Sequence, residues 1–294
     1  MWINREVDLV RVRTPAKVNL FLEVLGRRPD GYHDLATLMV TVSLHDSLEF
    51  RPNGTGEIRL ECDEPSLSTG PDNLVVRAAR LLRERYRVSE GVDIGLAKRI
   101  PMAAGLAGGS SDAAATLAGL NRLWELGLDT QQLATLGAEL GSDVAFFFYG
   151  PAAWCTGRGE IVEPLSLGRP LDLVLVCPRV GLSTARVFAA LRRPDSPVEG
   201  SPVRQAVEGG NLEQLGKHLF NRLEEPAFEL CPEVARWRER LARLDPLGVL
   251  MSGSGTTVFA LARDATQALC FSRALASERE VGDQARVLVV RSCD

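Results

Sequence analysis

The sequence predicts an α+β protein built in two domains. Three observations predict it. The first hundred residues alternate short β-like runs with turn signals. A Gly/Ala/Ser-rich segment then leads from a strand into an alanine-dense helix. The second half runs β, helices, β, β, α, β. A length of 294 residues agrees, at roughly 150 residues per domain.

The early strands are expected at Val7 to Val12, Val18 to Leu25, Leu38 to Leu44, Ser47 to Phe50 and Ile58 to Cys62. Arg28-Pro-Asp-Gly31 and Asn53-Gly-Thr-Gly56 supply turns, since Gly and Asn tolerate backbone angles other residues avoid. Asp72-Asn73 opens a helix to about Tyr86, with apolar residues at 74, 75, 78, 81 and 82 on one face. A strand, Val92 to Ala97, precedes the Gly-rich segment, and helices follow at Ser110 to Leu126 and Gln131 to Leu140. Leu171 to Cys177 is almost continuously apolar, as a central strand buried on both faces should be. Helices are expected at 184–193, 211–224, 232–244 and 264–277. Strands are expected at Gly248 to Met251, Thr257 to Ala262 and 285–291. This order is compatible with a ferredoxin-like C-terminal sheet. The Pro/Gly-bearing stretch 157–170 is the expected boundary, giving domains 1–163 and 164–294.

Composition excludes several classes of function. Net charge is −4 and no Lys/Arg run stands out, which argues against nucleic acid as a partner. Apolar stretches are too short to span a bilayer, and the N-terminus lacks the pattern of a signal peptide. Six scattered cysteines without a Cys-x-x-Cys pair, and only three histidines, give no zinc site; they read as reduced thiols of a cytosolic protein. Of 34 basic residues only Lys17, Lys98 and Lys217 are lysine. Such lysines can mark places where a compact ammonium works and a planar guanidinium does not.

Pro101-Met-Ala-Ala-Gly-Leu-Ala-Gly-Gly-Ser-Ser111 sits between a strand and a helix. Small side chains there let backbone N–H groups approach phosphate oxygens, and the helix N-terminus adds partial positive charge. No Gly-Lys-[Ser/Thr] follows, so it is not a Walker A loop, and the dinucleotide spacing is missing too. A close helix–sheet contact with serine caps explains the same residues. Three other segments bear on the choice. Asp143 precedes an apolar run in Gly141-Ser-Asp-Val-Ala-Phe-Phe-Phe148, where a turn or cap is the plainer reading. Lys17 lies inside a β-like run, and Met251-Ser-Gly-Ser-Gly-Thr-Thr257 joins two strands.

Together these segments resemble the GHMP kinase superfamily over nearly the whole chain. The resemblance rests on Pro15-Ala-Lys-Val-Asn-Leu-Phe-Leu22, Arg28-Pro-Asp-Gly-Tyr-His-Asp-Leu35, Asp72-Asn-Leu-Val-Val-Arg77, Pro101 to Ala115, Gly141-Ser-Asp-Val144 and Met251-Ser-Gly-Ser-Gly255. It implies an N-terminal ribosomal-protein-S5-domain-2-like domain and a C-terminal ferredoxin-like domain. The Gly31 to Leu35 segment separates the chain from homoserine, mevalonate and galactose kinases. It resembles the branch whose acceptor is a cytidine diphosphate-linked methylerythritol.

The resemblance implies ATP and Mg²⁺ as cofactors, with no protein metal ligand assigned, and a monomer or homodimer. Asp143 would accept the hydroxyl proton, and Lys17 would orient that hydroxyl and offset charge. Pro101, Met102, Ala103, Ala104, Gly105, Leu106, Ala107, Gly108, Gly109, Ser110 and Ser111 would hold the nucleotide phosphates, with Asn73 and Lys98 bordering the nucleoside. Asn19, Tyr32, His33, Thr184 and Phe188 would meet the acceptor, the aromatic residues at its cytosine. Family members often carry glycine where this chain has Ala103, Ala104 and Ala107, and proline where it has Ala145. Left-handed positions in the loop are therefore expected at Gly105, Gly108 and Gly109. Two other readings stay open on sequence: a kinase of homoserine or mevalonate type, and a catalytically silent nucleotide-binding module.

Overall fold

Two long strands organise the chain, and each is longer than its sequence pattern suggests. The computed structural model describes residues 1–192, 196–276 and 284–293. In it the expected runs on either side of Pro15 form one strand, and so do those on either side of His45-Asp46. The chain folds into two compact units. One is Met1–Ala16, Leu44–Ile100 and Ala107–Gly150; the other is Lys17–Ser43, Pro101–Leu106 and Pro151–Asp294.

In the first unit β1 (Trp2–Glu6), which the sequence pattern did not reveal, forms a hairpin with the start of β2 (Leu9–Arg27). The later half of β3 (His33–Asn53) pairs antiparallel with β5 (Gly91–Ala97), and β5 pairs parallel with β4 (Ile58–Cys62). A parallel pair needs a crossover, which α1 (Leu74–Tyr86) supplies. Asn73 starts α1, its side-chain carbonyl accepting from Val75 N. Helix α2 (Gly108–Leu123) is buried along almost its whole length because alanine and glycine let it lie close to its neighbours. A Cβ at Gly119 would come within 2.5 Å of the Phe50 ring. Helix α3 (Thr130–Leu140) opens with an Asp129/Gln132 capping box and leads through a turn into a short 3₁₀ segment, Ala145–Phe148.

In the second unit the early half of β3 pairs with β6 (Ala152–Gly157), which pairs with β7 (Ile161–Leu165). This hairpin enters the 157–170 stretch that reads as a linker in the sequence. Strand β8 (Asp172–Pro178) carries the expected central run. Helices α4 (Thr184–Ala190), α5 (Ser201–Glu208) and α6 (Leu212–His218) follow, then a two-residue strand β9 (Phe220–Asn221) parallel to β2. Next come α7 (Glu224–Leu230), α8 (Pro232–Ala242), β10 (Gly248–Met251), β11 (Val258–Ala262), α9 (Ala265–Ala276) and β12 (Ala285–Arg291). The sheet order β10-β11-β8-β12, all antiparallel, is the expected ferredoxin-like arrangement. Val174 and Val176 of β8 pack with Trp237, Leu241, Phe271 and Leu275 of α8 and α9. The expected helix 211–224 is broken at β9, and α5 lies outside every expected helix. The helix ends expected at 193 and 277 lie outside the described residues.

Candidate active site

Side chains two residues apart in a strand share a face, so Lys17 and Asn19 of β2 point the same way. Lys17 Nζ donates to Asn19 Oδ1 at 2.6 Å and to Gly105 O at 3.1 Å. Asn19 Nδ2 donates to Thr37 Oγ1 at 2.8 Å, and Thr37 Oγ1 donates onward to Phe21 O at 2.6 Å. The 252–255 turn closes on the same place. Ser252 Oγ donates to Gly105 O at 3.0 Å, and a Cβ on Gly253 would lie 3.3 Å from Lys17 Nζ. Asn221 holds that turn by donating to Met251 O at 2.7 Å and Gly253 O at 2.8 Å. Thr37, Asn221 and Ser252 are buried polar residues that sequence reasoning missed as site residues. Thr37 sits in an ordinary-looking strand and Asn221 in an expected helix, so neither carried a local signal.

The first half of the 101–111 loop belongs to this unit. Ala104 O accepts from Thr257 N and Leu106 O from Lys17 N, each at 3.1 Å. Gly105 has φ +76°, and a Cβ there would meet Ser252 O at 2.1 Å, so only glycine fits. The expectation for the other left-handed positions is corrected. Gly108 and Gly109 are helical, and it is Ala103 (φ 50°) and Ala107 (φ 53°) that are left-handed. Helix α2 begins directly after Ala107, and its start needs the sharp reversal there.

The acceptor residues expected from sequence also lie in this unit. His33 stacks on Phe188, with ring centroids 5.0 Å apart and an interplanar angle of 29°. Tyr32 is half exposed, and the Arg158 guanidinium lies over its ring at 4.8 Å. The turn beneath is fixed by Arg28 N donating to Tyr32 O and by Tyr32 N donating to Asp30 Oδ1. Burial, helped by the nearby Arg27 charge, lowers the His33 pKa, so its imidazole is neutral at pH 7 and offers one donor and one acceptor. The Thr184 hydroxyl is 2.8 Å from that of Ser254.

In the first unit α2 starts at Ala107 without a side-chain cap, which leaves its first N–H groups for a ligand. Gly109 is exposed there and Ser110 half-buried. A Cβ on Gly108 would come within 2.9 Å of Ile100 Cγ2 and 3.2 Å of Lys98 Nζ. These features fit an anionic phosphate at the helix start. Ser111 faces inward instead, its hydroxyl donating to Pro15 O at 2.6 Å beside Thr14. Lys98 is enclosed between the carboxyl groups of Asp46 and Asp112. Asn73 caps α1, and its amide also donates to Ser68 O at 2.6 Å. Asp143 lies in the turn between α3 and the 3₁₀ segment, whose capping position is Val144. No group of three or more His, Cys, Asp or Glu arranged to hold a metal occurs among the described residues.

This geometry can be set beside known proteins. The model for GHMP kinases N terminal domain matches residues 73–151, and that for GHMP kinases C terminal matches residues 203–279. The 4-diphosphocytidyl-2-C-methyl-D-erythritol kinase of Shouchella clausii (strain KSM-K16) is 45% identical over 251 residues, covering 85% of this chain and 84% of the relative. That of Geobacillus thermodenitrificans (strain NG80-2) is 47% identical over 253 residues, covering 85% and 87%. The chain belongs to the 4-diphosphocytidyl-2-C-methyl-D-erythritol kinase family of GHMP kinases. A crystal structure of 4-(cytidine 5'-diphospho)-2C-methyl-D-erythritol kinase superposes with TM-score 0.79 at 37% identity, covering 97% of this chain and 99% of that one. A homoserine kinase from Cytophaga hutchinsonii reaches the same TM-score at 18% identity, covering 100% and 97%, and shows the shared fold alone. As a GHMP kinase of this family, the chain is an ATP-dependent small-molecule kinase. No helix among the described residues is long and apolar enough to cross a membrane.

Proposed function

We propose that this kinase transfers the γ-phosphoryl group of ATP to the C2 hydroxyl of 4-diphosphocytidyl-2-C-methyl-D-erythritol, a step toward isoprenoid precursors. The observation that carries the reading is Lys17, whose ammonium is anchored at once to Asn19, to the 101–111 loop through Gly105 O, and beside the 252–255 turn. Lys17 orients the hydroxyl and offsets charge at the reacting centre. Asp143 takes the hydroxyl proton. A carboxylate is a far weaker base than an alkoxide. It therefore accepts the proton only when the O–P bond is well formed, contributing at most about 10²–10⁴-fold. Positioning and charge stabilisation supply the rest.

The uncapped start of α2, with Gly108, Gly109 and Ser110, receives the nucleotide phosphates, and Asn73 and Lys98 lie toward the nucleoside side of that site. With no protein cluster built for a cation among the described residues, Mg²⁺ is carried mainly by the phosphates, where it neutralises charge. Tyr32, His33 and Phe188 select cytosine by stacking and by edge hydrogen bonds, and Thr184 lines the same pocket. Residues 1–163 carry ATP binding and catalysis, and 164–294 contribute to the acceptor pocket. The enzyme works in the cytoplasm as a monomer or homodimer; six cysteines outside any disulfide suit a reducing compartment.

A turnover assay with ATP, Mg²⁺ and the cytidylyl acceptor, run beside homoserine and mevalonate, tests the assignment. Phosphorylation of the cytidylyl acceptor alone is expected, and preference for either other alcohol overturns it. Asp143→Asn should keep nucleotide and acceptor binding while kcat falls by about 10²-fold or more. Wild-type turnover in that variant would remove Asp143 from its role.

A further inference from the structure

The loop's helix rests on an unusual buried charge cluster. Asp112 lies in the second turn of α2 with its side chain 3% exposed, and Asp46 of β3 is fully buried. Both reach Lys98 Nζ, which Asp112 Oδ2 accepts from at 2.8 Å. The cluster thus holds two carboxyl groups and one ammonium. Both oxygens of Asp46 are fully supplied with donors: its Oδ1 accepts from Arg99 N and from Ile100 N, and its Oδ2 from Lys98. Asp112 lacks such support. Its Oδ1 is buried with no hydrogen-bond partner, a costly place for a full negative charge. The remaining titratable or charged neighbours do not change this balance. Cys62, at the end of β4, is kept as a thiol by burial, and Asp63 is occupied by Lys98 N and the Arg99 guanidinium.

We propose that Asp112 is a positioning residue for the nucleotide-phosphate site and works as a neutral carboxylic acid. In that form the Asp46–Lys98–Asp112 cluster carries no net charge beneath the first turn of α2. When Asp112 ionises the cluster becomes net negative and opposes the phosphates. This inference rests on the reading that the start of α2 receives the nucleotide. Lys98 transmits the effect, because its ammonium lies directly under Gly108, 3.2 Å from where a Cβ would be. Burial raises the Asp112 pKa to about 7; Lys98 lowers it and Asp46 raises it further. The titration therefore falls near neutrality. By linkage, a bound anion favours the protonated form, so nucleotide binding near pH 7 draws a proton from solution onto Asp112.

Calorimetric binding of ADP with Mg²⁺, in two buffers of different ionisation heat, counts that proton. The wild-type protein should take up a larger fraction of a proton than Asp112→Asn; the difference cancels the nucleotide's own titration. Wild-type affinity should fall roughly three- to tenfold between about pH 6 and about pH 8.5, the scale of one screened charge. Affinity in Asp112→Asn should lose that dependence. Equal proton counts in the two proteins overturn the proposal. If the variant does not fold, the ¹³C carboxyl resonance of Asp112 in the wild type decides. Titration near neutrality supports the proposal, and titration in the ordinary carboxylate range overturns it. Gly109→Glu keeps the two readings apart. Unchanged ADP affinity in that variant removes the phosphates from the start of α2, whereas lost affinity with equal proton counts removes only the role of Asp112.

Discussion

Lys17 and Phe188 reach their places by different routes. Lys17 is fixed by its own strand, through Asn19 two residues on, and by the Gly105 carbonyl, so little freedom remains in its ammonium. Phe188 comes from α4 and is met by His33 at the start of β3, a contact between distant parts of the sequence. A neutral imidazole on an aromatic face forms a surface suited to a planar base whose edge offers both donors and acceptors. Stacking of a base on an aromatic side chain is worth about 1–3 kcal/mol. Phe188→Ala should therefore raise KM for the cytidylyl acceptor roughly 5- to 150-fold, leaving KM for ATP near the wild-type value. Steady-state kinetics with each substrate varied in turn checks this. An equal rise in both constants would mean that the ring supports the fold rather than the base.

At the scale of elements, the loop between β5 and α2 combines positioning with strain. Ala103 and Ala107 adopt left-handed backbone angles that cost a residue with a Cβ about 1–2 kcal/mol. Glycine there relieves the strain but adds about 0.5–1 kcal/mol of unfolded-state entropy. Ala107→Gly is thus expected to stabilise the protein by up to about 1 kcal/mol, read as a higher urea midpoint at unchanged slope. A lower midpoint would show that the Ala107 methyl group makes packing contacts worth more than the strain. The sequence located this loop from its small residues and flanking elements, but not its torsions, because composition alone does not say which small residue turns. The same limit applies elsewhere. Local pattern found the continuously apolar β8 and the capped α1, whose signals lie within a few residues. It divided β2 at Pro15, although the strand runs on and Pro15 O accepts from Ser111. It ran a helix through 211–224, where Asn221 instead leaves helical geometry to pair beside β2 and hold the 252–255 turn. These departures come from partners 96 residues away for Pro15 and on distant β2 for Asn221's strand pairing, which no local window contains.

For the whole molecule, the buried carboxyl groups set how stability follows pH. Burial alone would raise the Glu23 pKa, but Arg222 and the N–H groups of Val198 and Val24 hold it below the usual value. Its contribution is present above the ordinary glutamate range and is lost as pH falls through the lower folded value. Asp112 acts in the opposite sense, because its folded pKa is raised from 3.8 to about 7. Between those values the folded protein holds a proton that the unfolded chain releases, so stability declines as pH rises and levels off above about 7. Glu224, raised chiefly by burial, adds a decline of the same sign. His33 opposes it through the mid-sixes, since its lowered pKa makes the unfolded chain the better proton binder there. One proton gives a slope of at most about 1.4 kcal/mol per pH unit. The wild-type protein should therefore be most stable in mild acid and lose stability from about pH 5 to about pH 7, with Asp112 contributing at most that one-proton slope. Asp112→Asn, which carries no titrating proton at that position, should flatten most of the decline. Urea denaturation midpoints taken at closely spaced pH values measure both curves. Parallel curves for the two proteins would mean that Asp112 is ionised in the fold and that Lys98 fully compensates its charge.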